Sequence, residues 1–170
     1  MINLITKTDI LGLRQISKNV PDKIIDPYIK DAQFIDVQKL LGSDFFNDLL
    51  RNSTDENYID LLTEGDYVYN GTTYTNVGLK AVLVYYSYAR YILLGSNIDT
   101  PFGFVTKDTD VSSPSDLSTR KTISKENEQI AFNYWENVKH FLDRNKQDYP
   151  LWNENCSSFK RGIFRISKIG

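Results

Sequence analysis

One cysteine, one histidine and one methionine stand among 170 residues, and each scarcity removes a class of chemistry. A single thiol, Cys156, cannot close an internal disulfide or build a thiolate metal cluster within one chain, which fits a reducing compartment. It lies in a polar stretch, whereas a reactive thiol needs an identifiable activating environment. The lone imidazole, His140, has no histidine partner for a metal, and a site is a constellation of groups rather than one residue. Between Lys139 and Phe141 it reads as a helix-surface residue.

Charge of one sign is equally scarce. Twenty basic against 22 acidic side chains leave a net charge of −2, which gives no global electrostatic case for a dedicated nucleic-acid binder. Long apolar runs are missing too: the longest apolar region, Leu79 to Leu94, is broken by Lys80, Ser87 and Arg90. The opening MINLITKTDILGLRQISK lacks the charged start, apolar middle and small-residue cleavage site of a secretory signal. The chain is therefore expected to be soluble and unexported, with no membrane partner.

Nor is there a glycine loop to cradle phosphate, because GDYVYNG has the wrong spacing and no Lys-Ser/Thr after it. DTDVSSPSD, residues 108–116, lacks the central glycine and final glutamate of a calcium-binding EF-hand and reads as a solvated loop. Carboxylates such as Asp44 and Asp48, or Glu126 and Glu128, have the spacing of caps and solvated helix faces. An acid pair assembled from distant positions stays open. No catalytic residue, metal or cofactor is expected.

The residues that are present describe a globular chain: 41% are hydrophobic and 25% charged, and the length suits one domain. Asp26-Pro27 reads as a helix start and Gly42 as its stop, giving a helix from about Pro27 to Leu41. Its apolar residues fall on two sides, with Tyr28, Ile29, Ala32, Ile35 and Leu40 on one and Phe34, Val37 and Leu41 elsewhere. A monomer's surface helix needs one stripe, so the second side implies a cover, such as another subunit. Residues 2–20 read as part extended, part short helix. Ser43 is suited to cap a short helix, and Ser53 with Glu56 has the spacing of a capping box ahead of another.

Asn70-Gly71 between β-prone residues is the strongest short hairpin signal in the chain, since a type I′ turn needs positive φ at both centres. Val77 to Leu94 is apolar on nearly every face and reads as the central helix of a helical core, ended by Gly95. Ser124 is expected to cap a last helix carrying the stripe Ile130, Tyr134, Val138, Phe141 and Leu142, and the pattern breaks at Tyr149-Pro150. The expected fold class is mainly α: a helical bundle around a central buried helix, one small β-hairpin, a long inter-helix loop and an extended C-terminal tail. As a single domain over 1–170, it has its core at about 20–147, the loop at 96–122 and the tail at 148–170.

The order of PYIKDAQFIDVQKLLG (27–42), YNGTTYTNVGLKAVLVYYSYARY (69–91), TPFGFVTK (100–107) and YPLW (149–152) resembles the head-to-tail connector, or adaptor, proteins of tailed bacteriophages. It is most similar to those of phages with Bacteroides-type hosts, including the crAss-like group. The resemblance implies a structural, non-enzymatic virion subunit at the head–tail junction, assembled in the host cytoplasm into a ring, commonly a dodecamer, beneath the portal protein. Such a ring extends the DNA channel, meets the next tail or ring component and stays close to double-stranded DNA without reading it.

Within that resemblance, Pro101, Phe102, Phe104, Val105 and Lys107 of the long loop become subunit-interface residues, because aromatic anchors dominate small interfaces. Their own subunit's helices are the other docking surface. Trp152, Phe159, Arg161, Phe164, Arg165 and Ile166 become contacts of the tail with a partner or the portal. The tail SSFKRGIFRISKIG alternates basic and apolar residues, which suits either a strand added to a partner's sheet or, as the alternative function, a small DNA-binding or packaging-associated protein. A small enzyme of another type would instead show a deep pocket with convergent polar groups.

Overall fold

A computed structural model describes residues 2–95, 97–100, 103–106 and 116–152. The chain is mainly helical, and its buried apolar residues form one cluster that runs from Leu4 to Trp152. The core therefore extends past both ends of the expected 20–147.

Helix α1 (Lys7–Leu13) begins where the Asp9 carboxylate accepts from the Thr6 N–H at 2.7 Å and the Thr6 hydroxyl at 2.8 Å. The next helix starts earlier than Pro27: α2 spans Asp22–Asp31, follows Pro21, and contains Pro27. Proline is tolerated there because Lys23, whose carbonyl loses its helical partner, is exposed to water. A π-helical segment (Ala32–Val37) then leads into α3 (Gln38–Leu41).

That π segment corrects the expected stripe. Ile25, Ile29, Gln33, Val37 and Leu41 are all buried at a strict spacing of four, whereas Ile35 is 53% exposed and Tyr28 and Leu40 are half-buried. In an α-helix such a row walks around the cylinder by about 40° per step, because a turn takes 3.6 residues. The wider π turn, with the Gln38 N–H bonded to the Gln33 carbonyl, winds the row back toward the core. Val37 and Leu41 are covered by the chain itself and not by another subunit; Phe34 packs edge-on against Phe46. Gln33 fills its place in the apolar row by reading the N-terminal segment: Oε1 accepts from the Leu4 N–H at 2.9 Å and Nε2 donates to the Ile2 carbonyl at 3.0 Å.

Gly42, with φ 81°, ends α3 and directly precedes α4 (Ser43–Arg51), so Ser43 is the first helical residue and not the cap. Helix α5 (Glu56–Leu62) starts after Asp55 rather than Ser53, because a turn closed by the Asp55 N–H on the Asn52 carbonyl intervenes. Strands β1 (Gly65–Tyr69) and β2 (Thr72–Asn76) form the expected hairpin, with Asn70 and Gly71 at φ 51° and 76°.

Helix α6 (Leu79–Leu94) is the central helix, buried from Leu79 through Tyr85 on all sides but that of Lys80. Its antiparallel partner is α7 (Leu117–Arg144). The connection between them is shorter than the expected 96–122 and includes two strands. Strands β3 (Asn97–Thr100) and β4 (Gly103–Thr106) pair as a second antiparallel hairpin, and α7 begins at Leu117. The cap of α7 is Asp116, which accepts from the Thr119 N–H at 2.8 Å and the Thr119 hydroxyl at 3.0 Å; Ser124 is buried inside the helix.

Beyond α7 the chain folds back. Tyr149 and Trp152 are buried against Phe45, with Tyr149 also on Tyr58 and Phe141 and Trp152 also on Trp135. Tyr149 and Trp152 thus belong to the core, and not to an extended tail.

Candidate functional site

The two hairpins lie at opposite ends of the α6–α7 pair. β2 leads into the N-terminus of α6, beside the C-terminal half of α7, and β3 follows the C-terminus of α6, beside the start of α7. The first hairpin is fastened at its base. Asn76 Nδ2 donates to the Asp60 carbonyl at 2.8 Å, while Asn137 on α7 accepts from the Val77 N–H at 2.9 Å and donates to the Thr75 carbonyl at 3.0 Å. At its side, the Arg144 guanidinium lies 3.7 Å from the Tyr74 ring centre and donates to the Tyr67 hydroxyl at 2.8 Å. Its tip stays open, with Val68 68% exposed. The second hairpin pairs Asn97 with Thr106 and Thr100 with Gly103 at the two ends of its register.

Between α1, the α5–β1 junction, the start of α6 and the middle of α7 runs a cleft of about 540 Å³. Leu13, Leu62, Val77, Ala81, Val84 and Tyr134 make its apolar walls, and Asp9, Glu64 and Lys80 its charges. A smaller cavity of about 110 Å³ shares Thr63 and Glu64 with it and adds Asp60 and Asp66. Tyr134 meets Tyr85 edge-on, and Arg14 lies 4.4 Å from the Tyr85 ring centre. The hydrogen bond with Tyr85, helped by burial, holds the Tyr134 hydroxyl above its ordinary pKa. The cleft is therefore an apolar groove with charges of both signs at its edge.

Across the molecule, the Asp36 carboxylate takes two hydrogen bonds from Arg90, at 2.9 and 3.0 Å, and ties the π segment to α6. Burial, with the charges of Asp36 and Glu128, pushes the neighbouring Tyr86 up to about 12. Tyr58 is raised chiefly by burial and then by donating to Asp48; Tyr149 is raised by burial as its hydroxyl donates to the Asn57 carbonyl. Tyr58 and Tyr149 are packing tyrosines whose tips find partners.

Among the residues expected to act, Trp152 requires correction. It is 6% exposed and its indole N–H donates to Asp143 at 2.7 Å, so it is a core residue and no surface contact. Phe104 and Val105 lie on β4, paired in register with Asp99 and Ile98. Pro101, Phe102, Lys107, Phe159, Arg161, Phe164, Arg165 and Ile166 lie outside the described residues, as does Cys156. His140 is on the exposed side of α7. The cleft was not read from sequence, since its walls come from four separate segments. Among the described residues, no group of three or more His, Cys, Asp or Glu is placed to hold a metal, and no helix is long and apolar enough to cross a membrane.

The helices and hairpins just described fall largely within residues 37–162, which match one family model, "Family of unknown function (DUF6712)". The chain belongs to the DUF6712 family. No curated protein and no solved structure matches it. The DUF6712 match takes in α4 to α7, both hairpins and three walls of the cleft; the fourth wall, from α1, precedes it.

Proposed function

We propose that this chain is a structural subunit of a bacteriophage head–tail connector: a ring protein, commonly dodecameric, that sits under the portal, extends the DNA channel and joins the capsid to the tail. The observation that carries the proposal is the placement of two hairpins at opposite ends of the α6–α7 pair. Closed rings are built by repeating a heterologous contact, in which two different surfaces of each subunit meet, and two unlike projections at opposite ends supply such surfaces. Residues 101–107, at and beyond the second hairpin, form the neighbour-facing contact through Phe102, Phe104 and Val105, with Pro101 and Lys107 flanking them. The tail past Trp152 reaches the portal or the next component through Phe159, Arg161, Phe164, Arg165 and Ile166. The role requires no cofactor and no catalytic residue.

Native mass spectrometry and electron microscopy of the chain mixed with its portal protein test this directly. A closed ring on the portal is expected. Persistent monomer in the mixture would refute the proposal.

A further inference from the structure

Helix α7 changes character halfway along its length. Its buried residues before Ala131 are Arg120, Ser124 and Asn127, all polar, whereas those after it are Trp135, Val138, Phe141 and Leu142, all apolar. The core cluster draws on α7 from Tyr134 onward. In the first half Leu117 is 51% exposed, and Ile123 and Ile130 are half-buried. A stretch that buries so little apolar surface gains little from packing.

Helix α6 runs antiparallel to it, with Tyr85 against Tyr134 and the Leu93 carbonyl accepting from Arg120 at 3.4 Å. The first half of α7 therefore faces the stretch of α6 that follows Tyr85, in which Ser87 is fully buried. Polar groups on facing helices hold the pair together when they bond across it. Asn127 instead turns its Nδ2 back onto the Ile123 carbonyl of its own helix, at 2.7 Å. Its Oδ1 and the Ser87 Oγ, both buried, have no hydrogen-bond partner among the described residues. Burying such groups unbonded costs free energy that their release into water returns.

The elements on either side are held elsewhere. In the second half of α6, Arg90 bonds twice to Asp36 of the π segment and Tyr91 meets Tyr28 of α2 edge-on. In the second half of α7, Trp135 packs on Trp152 and Asn137 grips the base of the first hairpin. Residues 117–130 are thus the part of the helix pair with the least to lose by separating. A helical stretch this short is marginal in water without a partner, so undocking and unfolding coincide.

We infer that residues 117–130 form a detachable unit, which leaves α6 and unfolds as a whole while residues 131–144, α6 and the rest of the core stay folded. The second hairpin lies between α6 and α7 in the chain, so in the open state it is joined to the folded core through α6 alone. It can then change its position without disturbing the core. The inference does not rest on the connector proposal, because a chain that never forms a ring can open in this way and a ring can be built from subunits that stay closed.

Native-state hydrogen exchange of the full chain, read by NMR over a series of low urea concentrations, tests this. Relative to their intrinsic rates, the amides of Ile123, Ser124 and Asn127 are expected to share one rate, roughly 100-fold faster than Val138, Phe141 and Leu142, with a weaker dependence on urea. Ile29→Val, a mild change in the core row of α2, should speed the slow set about fivefold and leave the fast set unmoved, because Ile29 stays buried in the open state. Equal protection in the two sets overturns the inference. Protection that climbs steadily turn by turn from Leu117 overturns it as well, since that is the fraying of any helix end. So does an Ile29→Val chain in which both sets speed up alike, which would make α7 a single unit with the core.

Discussion

Gly78 joins β2 to α6 with φ 79° and ψ 140°, a backbone combination that glycine adopts and other residues avoid. A Cβ there would stand 2.6 Å from the Thr63 carbonyl carbon, 2.7 Å from the Leu62 oxygen and 2.9 Å from the Glu64 nitrogen. All three are backbone atoms of the α5–β1 junction, which Asn76 also grips through the Asp60 carbonyl, so no flexible side chain can yield. Gly78→Ala combines a disfavoured φ, costing about 1–3 kcal/mol, with overpacking worth about 1–3 kcal/mol more. The sum, about 2–6 kcal/mol, is a large part of the stability of an ordinary domain, about 5–15 kcal/mol. Urea unfolding followed by far-ultraviolet circular dichroism should show the midpoint fall with the slope unchanged, and Tm should drop by about 10 °C. Gly12→Ala is the matched control. With open space around it in α1 and no positive φ, it should gain about 0.5–1 kcal/mol. A loss below about 1 kcal/mol at Gly78, or equal effects at the two glycines, would refute the steric reasoning.

Trp152→Ala should cost about 3–5 kcal/mol, because it empties a buried site between Phe45 and Trp135 and removes the donor to Asp143. The same urea titration, read by the remaining indole of Trp135, checks this, and an unmoved midpoint would return Trp152 to the surface. At the start of α7, hydrogen bonds from the Thr119 N–H and hydroxyl hold the Asp116 carboxyl below its ordinary range. Its contribution to folding is therefore full above the ordinary carboxylate pKa and lost as pH falls through the lowered one. Protection of the Thr119 amide, taken relative to its intrinsic exchange rate at each pH, should fall over that acid range, and in Asp116→Ala it should already be low at neutral pH.

Parts of this fold could be read because their signals are local. Asn70-Gly71 satisfies a turn that needs two positive φ angles, and the near-continuous apolar run of α6 suits only a helix covered on all sides. The π segment is hidden from a period of 3.6 residues per turn, because a row at a strict spacing of four drifts off the core until the backbone widens. Asp116 escaped because Ser124, eight residues later, begins a more regular apolar pattern, although Asp116 has the side chain that meets the free N–H groups. The second hairpin had no glycine or asparagine pair between its strands to announce it. Trp152 and the cleft share a different reason. Their neighbours, such as Phe45 with Trp152, or Leu13 with Ala81 and Tyr134, are dozens of positions apart, and no window along the chain contains them.

The return of the chain at Tyr149 and Trp152 decides where a load on the C-terminus is felt. A helix pulled from its last residue unzips one hydrogen bond at a time from a frayed end. Here a pull on residues past 152 arrives first at an indole wedged between Phe45 and Trp135 and held by Asp143. It is thereby transferred to α4 and α7 together before the end of α7 is strained. If the tail engages another component, tension along it strains two helices of the core at once, with Trp152 as the rivet that must shear first.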